Sequence, residues 1–202
     1  MRRRLAFLLA TAAVAVLGLG VLTTTGSGIK GKEKRKGASA RALLKSADGR
    51  AVAKVRLHKR RNGKVAVHVR ARGLEPGFHG FHVHEKGLCE PSGFTSAGGH
   101  HKRGAQDHGA HAGDMPPLLV SDDGKAQTAF VTDSFRIAEL VAGDGSAIMI
   151  HAGRDNLANI PDRYHSHVPD ASSTTFGPDA DTLKTGDTGD RVACGVVQAR
   201  RR

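Results

Sequence analysis

The stretch AVAKVRLHKRRNGKVAVHVRAR, residues 51–72, decides the fold class. Apolar residues alternate with basic residues and histidines in its first half, and the same alternation returns from Val65 to Arg70. A period of two places successive side chains on opposite faces of a strand. Because Arg61-Asn62-Gly63 separates the two halves with turn-forming residues, the stretch predicts a β-hairpin with one face on the core.

The same pattern continues along the chain. Asp48-Gly49 precedes the hairpin, Leu74-Glu75-Pro76-Gly77 leads into GFHVHE, and Asp122-Asp123-Gly124 introduces AQTAFVTD, before the apolar runs SAIMIHAG and RVACGVV. No stretch has helical amphipathic spacing, so we expect an all-β fold, a Greek-key β-sandwich or barrel of about eight antiparallel strands. Residues 86–118 and 153–190 lack strand patterning, and we expect two long functional loops there.

The charge of the chain is concentrated at its ends. The 202 residues carry a net charge of +12, but residues 1–41 hold nine basic residues and one acidic, and residues 200–202 are three arginines. Residues 42–199 hold 19 basic and 18 acidic residues. The basic ends could contact anionic lipid or cell-wall polymer. A nearly neutral central part, with 4% aromatic residues and no tryptophan, disfavours nucleic acid as a partner.

The N-terminus is typical of an exported chain. Arg2, Arg3 and Arg4 precede an uncharged apolar run over residues 5–22, which predicts a signal peptide or an N-terminal anchor. Residues 23–41 are predicted to be a flexible basic linker, residues 42–199 the folded domain and residues 200–202 a basic tail. The protein is therefore expected to be secreted, periplasmic or tethered to a membrane or the cell surface, with residues 1–41 as the part that could associate with membrane or wall.

The chain has two cysteines, Cys89 and Cys194. In an exported protein such a pair indicates a disulfide, which here would close a loop of about 100 residues and contribute about 4.7 kcal/mol in the chain-entropy model. Two free thiols or soft metal ligands are the alternative, although no C-x-x-C spacing is present.

Twelve histidines invite a search for metal-ligand spacing. His82 and His84 in GFHVHE share one strand face, although a bare H-x-H can also be a surface pair. The glycine-rich segment GGHHKRGAQDHGAHAGD then supplies three imidazoles and a carboxylate, which form a full tetrahedral set for zinc: His100, His108, His111 and Asp114. His101 is expected to point away from this set. His151 ends an otherwise apolar strand, where a lone histidine is more often structural.

Taken together, the motifs GFHVHE, SAGGH, HAGD, IMIHAG and KTGDTGDRVACGV resemble those of the copper/zinc superoxide dismutase family, bacterial exported type, over residues 42–197. The resemblance implies that one imidazole bridges the two metals and that a carboxylate links copper and zinc ligands. The implied copper ligands are His82, His84, His100 and His151, the zinc ligands are His100, His108, His111 and Asp114, the linking carboxylate is Asp155, and the disulfide pair is Cys89 and Cys194.

The resemblance also implies an activity. A superoxide dismutase converts superoxide to oxygen and hydrogen peroxide by redox cycling of copper beside a structural zinc. His100 would then serve as a proton carrier, while Arg191 and Lys184 would draw the anionic substrate inward. The family contains monomers and homodimers, and the sequence does not choose between them.

Some features depart from the family pattern. The zinc loop is short, with two residues between His108 and His111, and residues 156–182 include extra sequence with a second H-x-H, Tyr164-His165-Ser166-His167, which we expect in an exposed loop. Asp187 and Asp190 flank the segment that carries the anion-guiding residues Lys184 and Arg191, and their negative charge should oppose the approach of an anion.

A cupin is a poor alternative, because the second sequence motif of cupins is missing. A non-catalytic exported protein of the same fold that binds copper and zinc is the main alternative function.

Overall fold

The computed structural model describes residues 38–166 and 175–200. The expected signal or anchor at residues 1–22, His167 of the second H-x-H and most of the expected linker lie outside these residues. Among the described residues no helix is long or apolar enough to cross a membrane. The elements are the strands β1 Ser39–Lys45, β2 Ala51–Lys59, β3 Val65–Arg72, β4 Gly77–His79, β5 Phe81–His84, β6 Leu118–Val120, β7 Lys125–Thr132, β8 Ala147–His151, β9 His165–Ser166, β10 Thr175–Phe176, β11 Arg191–Val196 and β12 Gln198–Ala199, and the helices α1 Ile137–Leu140 and α2 Thr182–Thr185.

Eight strands form one antiparallel sheet in the order β5-β8-β11-β1-β2-β3-β7, with β12 paired to β1. The predicted hairpin is β2–β3, in register from Ala53 opposite Ala71 to Lys59 opposite Val65. Strand β11 returns from far along the chain to lie beside β1, which gives the Greek-key order β11-β1-β2-β3. The predicted all-β class and the count of about eight antiparallel strands are confirmed.

The sheet curls around one core. Inward residues of its strands alternate with outward polar residues, as in the burial of Val55 and Leu57 between exposed Lys54 and Arg56. Side chains from β1, β2, β3, β5, β8 and β11 all belong to one buried cluster, so the sheet bends until its inner face encloses them. Phe81 and Val83 of β5 are part of this core, which leaves the alternate residues of β5 facing away from it.

One boundary and one loop differ from the sequence-based expectation. Strand β1 begins at Ser39, so residues 39–41 belong to the sheet and not to the linker. The reason is that Ala40 faces the core while Arg41 faces outward, which continues the period-two pattern across a stretch whose small and basic residues resemble a linker. The second long loop also contains a short pair of strands, β9 and β10, and one turn of helix, α2.

Candidate metal centre

Strand β5 presents two histidines on its outer side. His82 and His84 are fully buried, because the long loop after β5 covers them. The loop returns along the free edge of β5, where His84 lies opposite His100 and His82 lies opposite Asp114 in isolated β-bridges. The backbone of Val83 accepts from the N–H of His101 at 2.8 Å and donates to the carbonyl of Gly113 at 2.8 Å. The edge strand is thereby paired, and the loop histidines are held at fixed positions.

Two glycines permit the close packing around these side chains. A Cβ at Gly113 would overlap the carbonyl oxygen of Val83, so a larger residue would push the loop away from β5. Gly186 ends α2 with φ at +64°, and a Cβ there would overlap the ring of His108 and the carboxylate of Asp155. Both positions therefore suit glycine for steric reasons.

The first group of donors is four buried imidazoles. His82, His84, His100 and His151 each offer one ring nitrogen, and these nitrogens all lie within 4.8 Å of one another. Nε2 of His84 lies 3.4 Å from Nε2 of His151. Nδ1 of His82 is buried without a hydrogen-bond partner, so the lone pair of this nitrogen needs either a hydrogen-bond donor or a metal ion.

The second group is tetrahedral in its spacing. Nδ1 of His100 lies 3.2 Å from Nδ1 of His108, 3.2 Å from Nδ1 of His111 and 3.2 Å from Oδ1 of Asp114. Oδ1 of Asp114 lies 3.4 Å from Nδ1 of both His108 and His111. Donors about 2.0–2.1 Å from a tetrahedral zinc ion would lie about 3.3 Å apart, so these four atoms have the spacing of a zinc site.

His82 is also near the second group, since one of its nitrogens lies within 4.8 Å of donor atoms of His100, His108 and Asp114. We assign His111 to the second group instead, because its Nδ1 makes the short distances to His100 and Asp114. Nε2 of His82 is hydrogen-bonded to Asp155, so Nδ1 is the nitrogen of His82 that is available to the first group. His101 belongs to neither group.

Hydrogen bonds fix the orientation of most rings. Nδ1 of His84 donates to the carbonyl of Gly98 at 3.0 Å, and Nδ1 of His151 donates to the carbonyl of Gly189 at 3.2 Å. Each bond places the proton on the outer nitrogen and leaves the lone pair of the other nitrogen directed at the first group. The ring of His79, which sequence analysis did not single out, lies 2.7 Å from the carbonyl of His151 and ties β4 to the end of β8.

Asp155 joins the two groups. Its Oδ2 lies 2.6 Å from Nε2 of His82 and its Oδ1 lies 2.8 Å from Nε2 of His108. Burial raises the pKa of this carboxyl group, but the hydrogen bonds from His108 and His82 outweigh burial and lower the pKa overall. The ionised carboxylate therefore holds one histidine of each group in a single orientation.

The electrostatics favour neutral imidazoles. Burial lowers the pKa of His100 to about 4 and that of His151 to about 3, and burial also places the pKa of His84 well below its usual value. Neutral rings are the form that binds metal ions. The pKa of Asp114 is lowered: burial acts against this, but the hydrogen bond with His100 and the nearby His108 and His111 outweigh it.

Arg191 lies beside the first group. Its guanidinium donates to the carbonyls of Phe94 and Gly98, both at 2.7 Å, and Gly98 is the residue that also accepts from His84. The positive charge of Arg191 contributes, after burial and neighbouring histidines, to the lowered pKa of His84 and of His151. Burial lowers the pKa of Arg191 itself, but a guanidinium stays charged at neutral pH.

The remaining predicted residues lie around this centre. Cys89 and Cys194 form a disulfide, as expected, and it joins the first long loop to β11. Lys184 is exposed on α2, next to Leu183, whose carbonyl accepts from the backbone of His108 at 2.7 Å. Asp187 is engaged within its own loop, where its Oδ2 accepts from Asn156 at 2.6 Å and from Thr182 at 2.7 Å.

The fold and this site define a class: an all-β protein whose edge strand and two loops assemble two adjacent groups of side chains that could hold metal ions, with His100 in both groups. The model of the copper/zinc superoxide dismutase family matches residues 51–197. The chain belongs to this family.

Relatives and a solved structure agree with that membership. The chain is 40% identical to "Superoxide dismutase [Cu-Zn]" of Mycobacterium tuberculosis over 186 residues, which is 85% of this chain and 75% of the relative. It is 42% identical to the protein of the same name from Mycolicibacterium paratuberculosis, over 77% of this chain and 72% of the relative. A SOD-like protein from Bacillus subtilis superimposes with a TM-score of 0.58 at 27% identity, over 77% of this chain and 96% of that one.

Proposed function

We propose that the protein is a superoxide dismutase that converts superoxide to oxygen and hydrogen peroxide, with copper bound by the first group and zinc by the second. The observation that carries the proposal is His100, which takes part in both groups. A site that stores a single metal ion would not need one histidine shared between two groups of donor atoms. Copper supplies one-electron redox chemistry when bound, and zinc holds geometry without redox change.

His100 is suited to hold and move a proton. Nδ1 lies among the donors of the second group, so Nε2 is the nitrogen left for the first group. Because burial lowers the pKa of His100 to about 4, the ring is neutral at pH 7 and carries a single N–H proton. A ring held at Nδ1 can accept a proton at Nε2 and donate it to a reduced oxygen species beside the first group.

Arg191 is the residue that would bind and orient the anion. Two backbone carbonyls fix its guanidinium next to His84, and no carboxylate among the described residues forms an ion pair with it. Its positive charge is therefore free to attract an anion. Lys184, exposed on the helix that contacts the His108 segment, would add longer-range attraction, whereas Asp190 is also exposed and would weaken it.

Two features support a location outside the cytoplasm. A disulfide persists in oxidising compartments, which supports an exported protein, and residues 1–22 have the pattern of a signal or anchor. We propose that residues 1–38, which precede β1, deliver the domain across the membrane and, where they are retained, hold it near membrane or wall, as a monomer or a homodimer. Mass spectrometry of the mature N-terminus in membrane and soluble fractions tests whether the segment is removed, and light scattering tests the oligomeric state.

The activity is tested by superoxide consumption of the full chain loaded with copper and zinc. We expect copper-dependent turnover that His151→Ala abolishes, while zinc content and the β-sheet signal in circular dichroism stay near those of the wild type. Protein loaded with zinc alone is the control and should be inactive. A fully loaded wild type without turnover would favour the non-catalytic metal-binding alternative, and full activity in His151→Ala would contradict the assignment of the first group.

A further inference from the structure

The outer face of the β1–β2–β3 sheet contains a groove that the dismutase site does not use. The groove has a volume of about 1070 Å³ and runs over the outward side of these strands, beside the Cys89–Phe94 segment and the end of β12. Six exposed basic side chains line it: Arg41, Lys45, Lys54, Arg56, Arg70 and Arg200.

The positive charge of this groove is uncompensated. No carboxylate is among its lining residues, and none of its six basic side chains takes part in an ion pair within the described part of the chain. The strand register places Arg41 directly opposite Arg56 and Lys54 directly opposite Arg70. Like charges directly opposite each other destabilise a sheet, so this arrangement costs stability unless an anion lies between them.

The composition of the groove indicates the chemistry of the anion. Four of its six cations are arginines, whose planar guanidinium matches phosphate oxygens in pairs. The aromatic residue in its lining, Phe94, is 3% exposed, so nucleic-acid bases would find no stacking surface. A concave groove also suits a chain better than a flat bilayer.

We propose that this groove binds an extended, flexible polymer that carries phosphate groups and has no bases. The site is separate from the metal centre, and the proposal does not depend on the dismutase activity. Residues 42–199 are nearly neutral in sum, but four of their basic side chains lie together on the outward side of the sheet, with Arg41 and Arg200 beside them.

The test uses the full metal-loaded chain and long-chain inorganic polyphosphate as the probe. Arg56→Gln/Arg70→Gln removes two groove cations, and Arg60→Gln/Arg61→Gln removes two exposed cations at the β2–β3 turn as the matched control. We expect the groove variant to bind polyphosphate about tenfold more weakly at low salt, and the slope of log K against log salt to fall by about 1–2. The control should bind as the wild type does. Both variants keep the basic chain ends, so their difference reports the groove.

Several outcomes would overturn the proposal. Equal affinity of groove and control variants would assign binding to the chain ends. Binding to phosphatidylglycerol vesicles or to single-stranded DNA that depends on Arg56 and Arg70, without such dependence for polyphosphate, would assign the groove to a bilayer or to nucleic acid.

A second variant and a stability measurement distinguish lost binding from misfolding of the variant. Lys45→Gln/Lys54→Gln removes two other cations from the same groove, again without changing the chain ends, and should reproduce the loss of polyphosphate binding. Without polyphosphate, Arg56→Gln/Arg70→Gln should melt about 1–4 °C higher than the wild type, because it relieves like-charge contacts. Polyphosphate should raise the Tm of the wild type more than that of the variant. A lower Tm in the unliganded variant, or an equal effect of polyphosphate on both proteins, would contradict the account.

Discussion

At the scale of single residues, the centre depends on how each imidazole uses its two nitrogens. Asp155 holds Nε2 of His82 and Nε2 of His108, so Nδ1 of each ring faces a donor group. A carboxylate that orients metal-binding histidines typically contributes 10- to 100-fold in metal affinity. One side chain here orients ligands of both groups.

Asp155→Asn should therefore weaken both sites. An amide can accept from one histidine but cannot serve two ring N–H groups as an anion does. We expect metal affinity to fall about 10- to 100-fold, measured by chelator competition followed by elemental analysis. Asp123→Asn, at an exposed turn, is the control and should retain metal like the wild type. Unchanged affinity at both sites in Asp155→Asn would contradict the linking role.

Arg191 should act on the rate and not on metal content. Arg191→Ala removes the positive charge beside His84, so kcat/KM for superoxide should fall about tenfold and depend less on ionic strength. Arg191→Lys keeps the positive charge but loses the planar guanidinium that donates to the carbonyls of Phe94 and Gly98. Part of the salt dependence of kcat/KM should therefore remain. Stopped-flow measurements over a range of salt check this, with copper content measured in parallel. A salt dependence identical to wild type in Arg191→Ala would contradict attraction by this residue.

The sequence predicts part of this residue-level arrangement. Period two correctly places His82 and His84 on one face, since Phe81 and Val83 fill the core. Spacing does not reveal which nitrogen faces which group, because this depends on hydrogen bonds from distant segments. The carbonyls of Gly98 and Gly189 that orient His84 and His151 are backbone atoms and have no sequence signature. The adjacency of His79 to GFHVHE was a signal that could have identified it.

At the scale of elements, the loop after β5 is held at two places. One is the free edge of β5, and the other is the disulfide between Cys89 and Cys194, which are 105 residues apart. The segment that follows Cys89 carries Phe94 and Gly98, whose carbonyls bind Arg191. The disulfide therefore supports both the stability of the sheet and the position of this arginine.

Cys89→Ser/Cys194→Ser should lower the free energy of unfolding by about 2–5 kcal/mol, since a closed loop of this length restricts the unfolded chain. The fall should appear as a lower denaturation midpoint in guanidinium chloride. Activity per bound copper should also fall, because the acceptors of Arg191 become less fixed. Reduced wild-type protein is the matched control and should behave like the variant. An unchanged midpoint would contradict the structural role.

The elements were more predictable than the loops. Turn residues and alternating strands identify β2, β3 and β7, because burial on one face imposes a period that a sequence displays. Continuous apolar runs identify β8 and β11, whose central residues are all buried. The loop from β5 to β6 has no such period, since its position comes from the β5 edge, the disulfide and tight glycine contacts such as Gly113. Its ligand residues were found from chemistry and resemblance, not from periodicity.

At the scale of the whole molecule, the charges of the domain are separated. The sequence total of residues 42–199 suggests neutrality, but the strand register gathers four of their basic side chains into one groove, where Arg41 and Arg200 from the flanking residues join them. Composition cannot reveal this, because it depends on which strands become neighbours and on which face each alternation presents.

The metal-free protein should lose stability as the pH falls from about 6.5 to about 4. Burial lowers the pKa of His100 to about 4 and of His151 to about 3, from 6.5 for an ordinary histidine. Within this window the unfolded chain binds more protons than the folded protein, so acidification favours unfolding by at most about 1.4 kcal/mol per pH unit for each such group.

Thermal melts of the metal-free protein between pH 7.5 and pH 4.5 measure this dependence. His100→Gln/His151→Gln should flatten the curve, which distinguishes these rings from carboxylates that titrate at lower pH. A wild-type Tm that is constant across the window would show that the buried rings do not determine acid stability.

The most direct test of the account is anomalous diffraction from crystals of the metal-loaded protein, measured at the copper and zinc absorption edges. We expect one copper peak among His82, His84, His100 and His151 and one zinc peak among His100, His108, His111 and Asp114. The ring of His100 should lie between two peaks about 6 Å apart, since metal–nitrogen bonds of about 2 Å extend from both sides of one imidazole. A single peak, or two peaks that do not share His100, would contradict it.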